Sequence, residues 1–424
     1  MKRILIISPH FPPVNAPDMQ RVRMSLPYYR EMGWEAEVIC VHENYTEGFK
    51  DELLNDTLPV DIPVHKVKAF PVGITRKIGL GSLSLRSYYQ FKKRGTALLK
   101  QKKFDLVFFS TAMFHVCALG KYWKKKFGVP FIVDMQDPWR NDFHLNKPVS
   151  ERPPKFLVAY TINKWMEAYT MPSADGLMSV SQGYIDELRK RYPALISKPA
   201  AVIPFGSSER DYELVQKKNI APEIIHQSEG KINVVYAGAV TKFFLPLLEA
   251  FFKAFHQSGI DKKKYHFYFI GTNYAAGARE KPVEQLAANC GMEGSVTEVP
   301  RRISYFSALA TLIHSDILFI PGSTDADYNA SKVYNNILSG RPIFSIFHER
   351  SLVKKVIEES NAGVVVSVNE RDDEQSLINK ISARLPDFEQ LPVASRVINQ
   401  TVTDQFSSKT MTGKQVELFN RIVS

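Results

Sequence analysis

The stretch from Ile317 to Ile346, ILFIPGSTDADYNASKVYNNILSGRPIFSI, decides the fold. Ile317–Pro321 is a short, wholly apolar run, which reads as a strand buried on both faces. Gly322 breaks it, and a loop rich in Ser, Asp and Asn follows. Ala330–Leu338 has helical spacing, Gly340 closes it, and Pro342–Ile346 is a second apolar strand. Strand, polar loop, helix and strand make up the unit of a parallel sheet covered by helices, whose ligands lie beyond the carboxyl ends of the strands. Lys332 and Asn335 are three apart and share a helix face. A cation-bearing helix start after a hydroxyl-rich loop suits phosphate and ribose; an ordinary capped surface helix is the competing reading.

The pattern recurs outward in both directions. In the same half, Asn233–Ala237, His266–Ile270 and Gly363–Val366 read as strands. Phe243–His256, Val283–Ala288 and Ser304–His314 read as the helices between them. An earlier series has strands at Arg3–Ser8, Glu35–Val41, Leu106–Ser110, Pro130–Asp134, Gly176–Val180 and Ala201–Pro204. Its helices are Gln20–Met32, Phe114–Phe127 and Gln182–Tyr192. Two such series predict an α/β chain with two doubly wound, Rossmann-like domains. The expected boundaries are 1–206 and 231–400, joined by a polar linker over 207–230 and followed by a helical tail over 401–424.

Charge separates the halves. The 424 residues carry a formal charge of +11. Residues 1–210 hold 31 Lys and Arg against 20 Asp and Glu, whereas residues 211–424 hold 24 of each. A nucleic-acid coat protein would spread its charge, and no nucleic-acid module is recognisable, so nucleic acid is not an expected partner. A hydrophobic content of 44% excludes a disordered chain. Cys40, Cys117 and Cys290 are too scattered for a disulfide framework or zinc site, which favours a reducing, cytoplasmic setting. The opening apolar run, Ile4–Ile7, is too short for a signal peptide and reads as a buried strand. No apolar run reaches the roughly 18 residues of a spanning helix.

Strand ends supply the candidate site residues. The first strand runs into Pro12, Pro13, Asp18, Gln20 and Arg21, which is either an anion-binding helix entry or a plain capped turn. Asp134 and Asp137 beside Trp139 suit sugar hydroxyls, while either Asp alone would be read as a cap before Pro138. His115 is either an acceptor contact or a satisfied core histidine. In the second half, Gly238 permits close approach, and Thr241 and Lys242 follow it. Gly271 repeats the strand–Gly–polar pattern. Lys332 and Lys242 can meet phosphate.

Phe11-Pro12-Pro13, Gln20-Arg21, Gly33-Trp34, Gly128-Val129-Pro130, Asp134 to Trp139, Ser331-Lys332-Val333-Tyr334 and Gly340-Arg341-Pro342 stand in an order that carries a family resemblance. Over nearly its whole length the chain resembles retaining glycosyltransferases of family 4, of the branch that assembles bacterial polysaccharide and lipopolysaccharide. The resemblance implies a GT-B fold, with two domains facing a cleft and a C-terminal helix returning to the N-terminal domain. It implies transfer of a sugar from a nucleotide-sugar to a glycan or lipid-linked acceptor, without a metal or other cofactor. Asp137, Lys242, Lys332 and Asp327 would then be catalytic. Gly238, Thr241, Gly271, Ser331, Tyr334 and Asn335 would hold the donor. Pro13, Gln20, Arg21, His115, Asp134 and Trp139 would hold the acceptor.

Departures from the pattern keep alternatives open. Asp327 and Asn335 stand where the family has two glutamates, Ala239 replaces an arginine, and Val14 to Pro17 replace a glycine pair. A nucleotide-sugar epimerase of the same fold and a non-catalytic partner subunit are the competing readings. Basic clusters at 92–94, 100–103 and 121–126, interleaved with Tyr88, Tyr89, Phe91, Tyr122 and Trp123, read either as a solvated face or as a surface for an anionic membrane. The second reading would place the chain peripherally on the inner face of the cell membrane.

Overall fold

A computed structural model describes residues 1–78, 80–142, 145, 147–152, 156–225, 230–273, 278–326, 328 and 330–424. The chain divides into two compact units, Met1–Phe205 with Ser408–Ser424, and Gly206–Ser407.

The first unit is built on seven strands: β1 (Lys2–Ile7), β2 (Trp34–Val41), β3 (Val64–Val67), β4 (Leu106–Ser110), β5 (Phe131–Met135), β6 (Gly176–Ser179) and β7 (Ala200–Val202). All pair in parallel, in the order β3-β2-β1-β4-β5-β6-β7. The strands bury both faces because alternate side chains enter different cores. Leu5 and Ile7 join Val107 and Phe109 on one side, and Ile4 and Ile6 join Leu106 and Phe108 on the other. The second core is completed by the chain's last helix, Ser408–Val423. Its Phe419 packs against Phe108, Trp34 and Tyr29, with ring centroids 5.1, 5.6 and 6.0 Å away. Gln415 fixes the register, accepting from the Tyr29 hydroxyl at 2.7 Å and donating to Ser25 at 2.8 Å.

The second unit has six strands: β8 (Ile232–Ala237), β9 (Tyr265–Ile270), β10 (Val296–Val299), β11 (Ile317–Ser323), β12 (Ile343–His348) and β13 (Gly363–Val368). They too are all parallel, ordered β10-β9-β8-β11-β12-β13. Phe251 centres the core, 4.5 Å from Phe319 and 5.7 Å from Phe267 between ring centroids. Both units are thus doubly wound and Rossmann-like. In each, the strand order reverses beside the first strand, between β1 and β4 and between β8 and β11. Such reversals open a crevice at the carboxyl ends of the strands.

The polar stretch after Phe205 is not a plain linker. Glu209–Lys217 is a helix, and its Tyr212 and Val215 are buried within the second unit. The Tyr212 hydroxyl donates to the Asn335 carbonyl at 2.6 Å, and Asp211 accepts from Tyr305 at 2.9 Å. The tail divides at Ser408: Gln400–Asp404 belongs to the second unit and the following helix to the first.

Candidate functional site

In the second unit the crevice is shaped by two strand ends. β11 carries a register shift between Ile320 and Ser323. There Gly322 holds a left-handed φ of +59°, and any β-carbon would collide with the Ile346 carbonyl. The kink ends the strand at Ser323, whose hydroxyl accepts from the Asp325 N–H at 3.0 Å. At the end of β8, the Tyr236 hydroxyl donates to the Ala239 carbonyl at 2.9 Å and pins the following loop. A cavity of about 700 Å³ results, with Tyr236, Thr241, Phe244, Ser323, Tyr328 and Lys332 among its walls. That volume suits a small-molecule ligand.

Lys332 opens the helix Lys332–Leu338 and points its ammonium back towards β8. Nζ lies where a β-carbon on Gly238 would have to be, and 5.8 Å from the centre of the Tyr236 ring. Gly238 therefore serves first to make room for this ammonium. Among the described residues no carboxylate pairs with Lys332. Surrounding protein, and then the Arg302 charge, press its pKa down to about 8. Its side chain is nonetheless exposed where it opens onto the cavity. A cation kept without a counter-charge in a hydroxyl-lined cavity can receive an anion.

Thr241, Ser331 and Lys332 line the cavity and Gly238 seats the ammonium. The other donor-side candidates fall elsewhere among the described residues. Tyr334 is buried, stacked on Phe406 at 4.5 Å, and burial pushes its phenol pKa up. The Asn335 side-chain oxygen is buried without a partner among the described residues. Asn336 lines the cavity instead, because four helical residues come closer than three to one full turn. Lys242 is exposed outside the walls. Gly271 makes a left-handed turn, its N–H donating to the Val299 carbonyl at 2.8 Å. The helix has only seven residues, so the expected anion site at its start gains little from a helix dipole. Asp327 lies outside the described residues.

In the first unit several acceptor-side candidates are committed inward, which corrects their expected role. Arg21 Nε meets Asp134 Oδ2 at 2.7 Å, with side-chain exposures of 2% and 0%. Arg21 also donates to the Ile203 carbonyl at 2.6 Å and lies 5.0 Å from the centre of the Phe205 ring. The same Asp134 oxygen accepts from Ser110 and Gln136 at 2.8 and 2.9 Å. Neither charge has surface to offer a ligand. Trp139 is buried and stacked on Phe114 at 5.6 Å. Pro13 is buried, and its carbonyl accepts from the Asp51 N–H at 2.7 Å. Gln20 accepts from Arg23 at 2.8 Å. His115 is tied to the Ser84 hydroxyl at 2.7 Å, and burial lowers its pKa to about 4, so it is neutral at pH 7.

Asp137 alone of the two aspartates faces outward. Nearby protein, and then the Asp18 charge, raise its pKa. Asp18 is buried and bonds His10 Nδ1 at 2.9 Å. Burial opposes the imidazolium of His10, but the charge and hydrogen bond of Asp18 overcome it and raise the pKa. In the sequence Asp18 stands in a loop open to two readings, an anion-binding helix entry or a plain capped turn.

Residues 20–206, a little under half of the chain, match the family described as the glycosyl transferase 4-like domain. The whole chain has the two-unit fold of GT-B glycosyltransferases. It is similar in structure to Anabaena Alr3699/HepE in complex with UDP-glucose, at 15% identity and TM-score 0.58, covering 98% of each chain. A trehalose-phosphate synthase from Burkholderia xenovorans matches at 8% identity and TM-score 0.62, over 99% of this chain and all of the other. WaaG, a glycosyltransferase involved in lipopolysaccharide biosynthesis, matches at 13% identity and TM-score 0.52, over 100% and 98%. No curated protein matches the chain in sequence.

Proposed function

We propose that the chain is a retaining glycosyltransferase that moves a hexose from a nucleotide-sugar to a glycan or lipid-linked acceptor in cell-surface polysaccharide synthesis. The unpaired Lys332 ammonium in the cavity of the second unit carries this reading. A nucleotide-sugar brings a diphosphate for the cation and hydroxyls for Ser323, Thr241 and Asn336. As the sugar departs, charge grows on the diphosphate, and a fixed ammonium stabilises that charge more than the ground state. The complex of the Anabaena protein with UDP-glucose makes UDP-sugars the first donors to try.

The test is incubation with UDP-, GDP- and dTDP-hexoses, following release of nucleoside diphosphate and any epimer formed. One donor should be turned over, and Lys332→Ala should abolish it. Interconversion of epimers without transfer would establish the epimerase reading instead. Absence of turnover and of binding with every donor would leave a non-catalytic subunit.

The basic surface of the first unit supports peripheral docking on an anionic membrane. Lys92 lies 4.4 Å from the centre of the Tyr122 ring, and Lys121 lies 4.3 Å from that of Tyr169. Trp165, Leu157 and Val158 are exposed on the helix Phe156–Thr170, with Trp165 stacked on Tyr169 at 5.9 Å. Basic residues near such a membrane contribute about 1 kcal/mol each. Among the described residues no helix is long and apolar enough to cross a membrane. The protein should sediment with anionic vesicles at low salt and stay in solution with neutral ones; equal behaviour with both would remove this role.

A further inference from the structure

We propose that Lys332 is a modification site, whose amine takes the acyl group of a small acyl phosphate and so closes the cavity of the second unit to anions. The geometry sets this lysine apart. Its Nζ is seated in the space a β-carbon on Gly238 would fill, and it faces a cavity of about 700 Å³. Its side chain is exposed there, and among the described residues no carboxylate or hydrogen-bond acceptor holds it. Lys281, which lines another cavity of the same unit, is instead paired with Glu284 at 2.9 Å. Lys253 is held by both Glu249 and Glu374. A paired ammonium must break its contacts before it can act as a nucleophile, and Lys332 has none to break.

The surroundings favour the same chemistry. Thr241, Ser323 and Ser331 line the cavity and offer hydroxyls to phosphate oxygens. A phosphate drawn in by the cation therefore brings its acyl carbon beside the amine. Surrounding protein, and then the Arg302 charge, press the pKa of Lys332 down to about 8. At pH 7.5 about a quarter of such amines are neutral, against about one in a thousand for an ordinary lysine. A less basic amine is also a weaker nucleophile, as with thiolates, which leaves a net gain of about tenfold. In the step itself a C–N bond forms to the acyl carbon as the C–O bond to phosphate breaks. Inorganic phosphate leaves with that electron pair and takes up the surplus proton of the amine. The product is an uncharged amide, and the cavity loses its cation. The inference rests on the transferase reading only for its consequence, the loss of donor binding.

The test incubates the full chain with acetyl phosphate at pH 7.5 and follows each lysine by peptide mass spectrometry. Lys332 should acetylate about tenfold faster than Lys242, which is exposed outside the cavity walls. N-acetoxysuccinimide, which has no phosphate, should give Lys332 a smaller lead. Inorganic pyrophosphate should slow Lys332 and spare Lys242. Gly238→Ala, which unseats the amine, should bring Lys332 down towards Lys242; if that variant does not fold, the pyrophosphate arm carries the test. Lys332 reacting no faster than Lys242 would overturn the proposal, as would an equal lead with both reagents and no protection by pyrophosphate. Binding of UDP-, GDP- and dTDP-hexoses before and after acetylation separates the two ideas. Selective acetylation of a protein that binds no donor keeps the modification site and sinks the transferase reading. Donor binding with an unselective Lys332 sinks the modification site alone.

Discussion

The carboxyl edges of the two sheets treat charge in opposite ways. In the first unit Arg21 and Asp134 neutralise each other out of reach of solvent. In the second, Lys332 stands in a cavity with no carboxylate partner among the described residues. Both lie near the strand-order reversal of their unit, where function is expected. A charged residue at a strand end is thus an anchor when an opposite charge is fixed on the neighbouring loop, and a ligand group when none is.

The contrast is most severely tested by removing one charge from each edge. Arg21→Met leaves Asp134 buried and unpaired, beside an Oδ1 that already lacks a partner, and should cost about 3–5 kcal/mol of stability in chemical denaturation. Replacing Arg21 and Asp134 together with apolar residues should recover most of that loss. Lys332→Met should leave stability unchanged or slightly raised, since burial disfavours the charged form in the folded protein. A collapse comparable to that of Arg21→Met would erase the distinction.

A smaller effect is expected at Gly238. Gly238→Ala displaces the Lys332 ammonium and should weaken nucleotide binding about tenfold, the equivalent of about 1.4 kcal/mol. In the Lys332→Met background the same change should add little, because the two act through one contact. Additive losses would return Gly238 to a direct role in admitting the ligand.

The gentlest probe is pH. With its folded pKa lowered to about 8, Lys332 is mostly charged at neutral pH and loses its charge as pH rises through that value. UDP affinity should therefore decline across that window in the native protein and stay flat in Lys332→Met. A native profile as flat as that of the variant would show that the ammonium does not meet the diphosphate.

Much of the fold was legible in the sequence because fully buried parallel strands are written as apolar runs, as in Leu106–Ser110 and Ile317–Pro321. The edge strands Val64–Val67 and Val296–Val299 went unread, because their sequences VHKV and VTEV lack such a run. The helix Glu209–Lys217 looked like a linker because only Tyr212 and Val215 mark its buried face. Site residues were harder. Lys332 was legible from its place after a hydroxyl-rich loop, but its seat on Gly238 is a contact across 94 residues that no local pattern records. Arg21 and Asp134 share the charge and motif position of ligand-binding residues, and only their pairing across the sheet edge reveals them as structural.

Calorimetric titration of UDP-, GDP- and dTDP-glucose into the native protein and Lys332→Met tests the central claim most directly. Saturable binding of at least one donor is expected, weakened in the variant by about 1.5–3 kcal/mol, the range of a charge-assisted hydrogen bond. Equal affinity in the two proteins would contradict it, as would binding by neither.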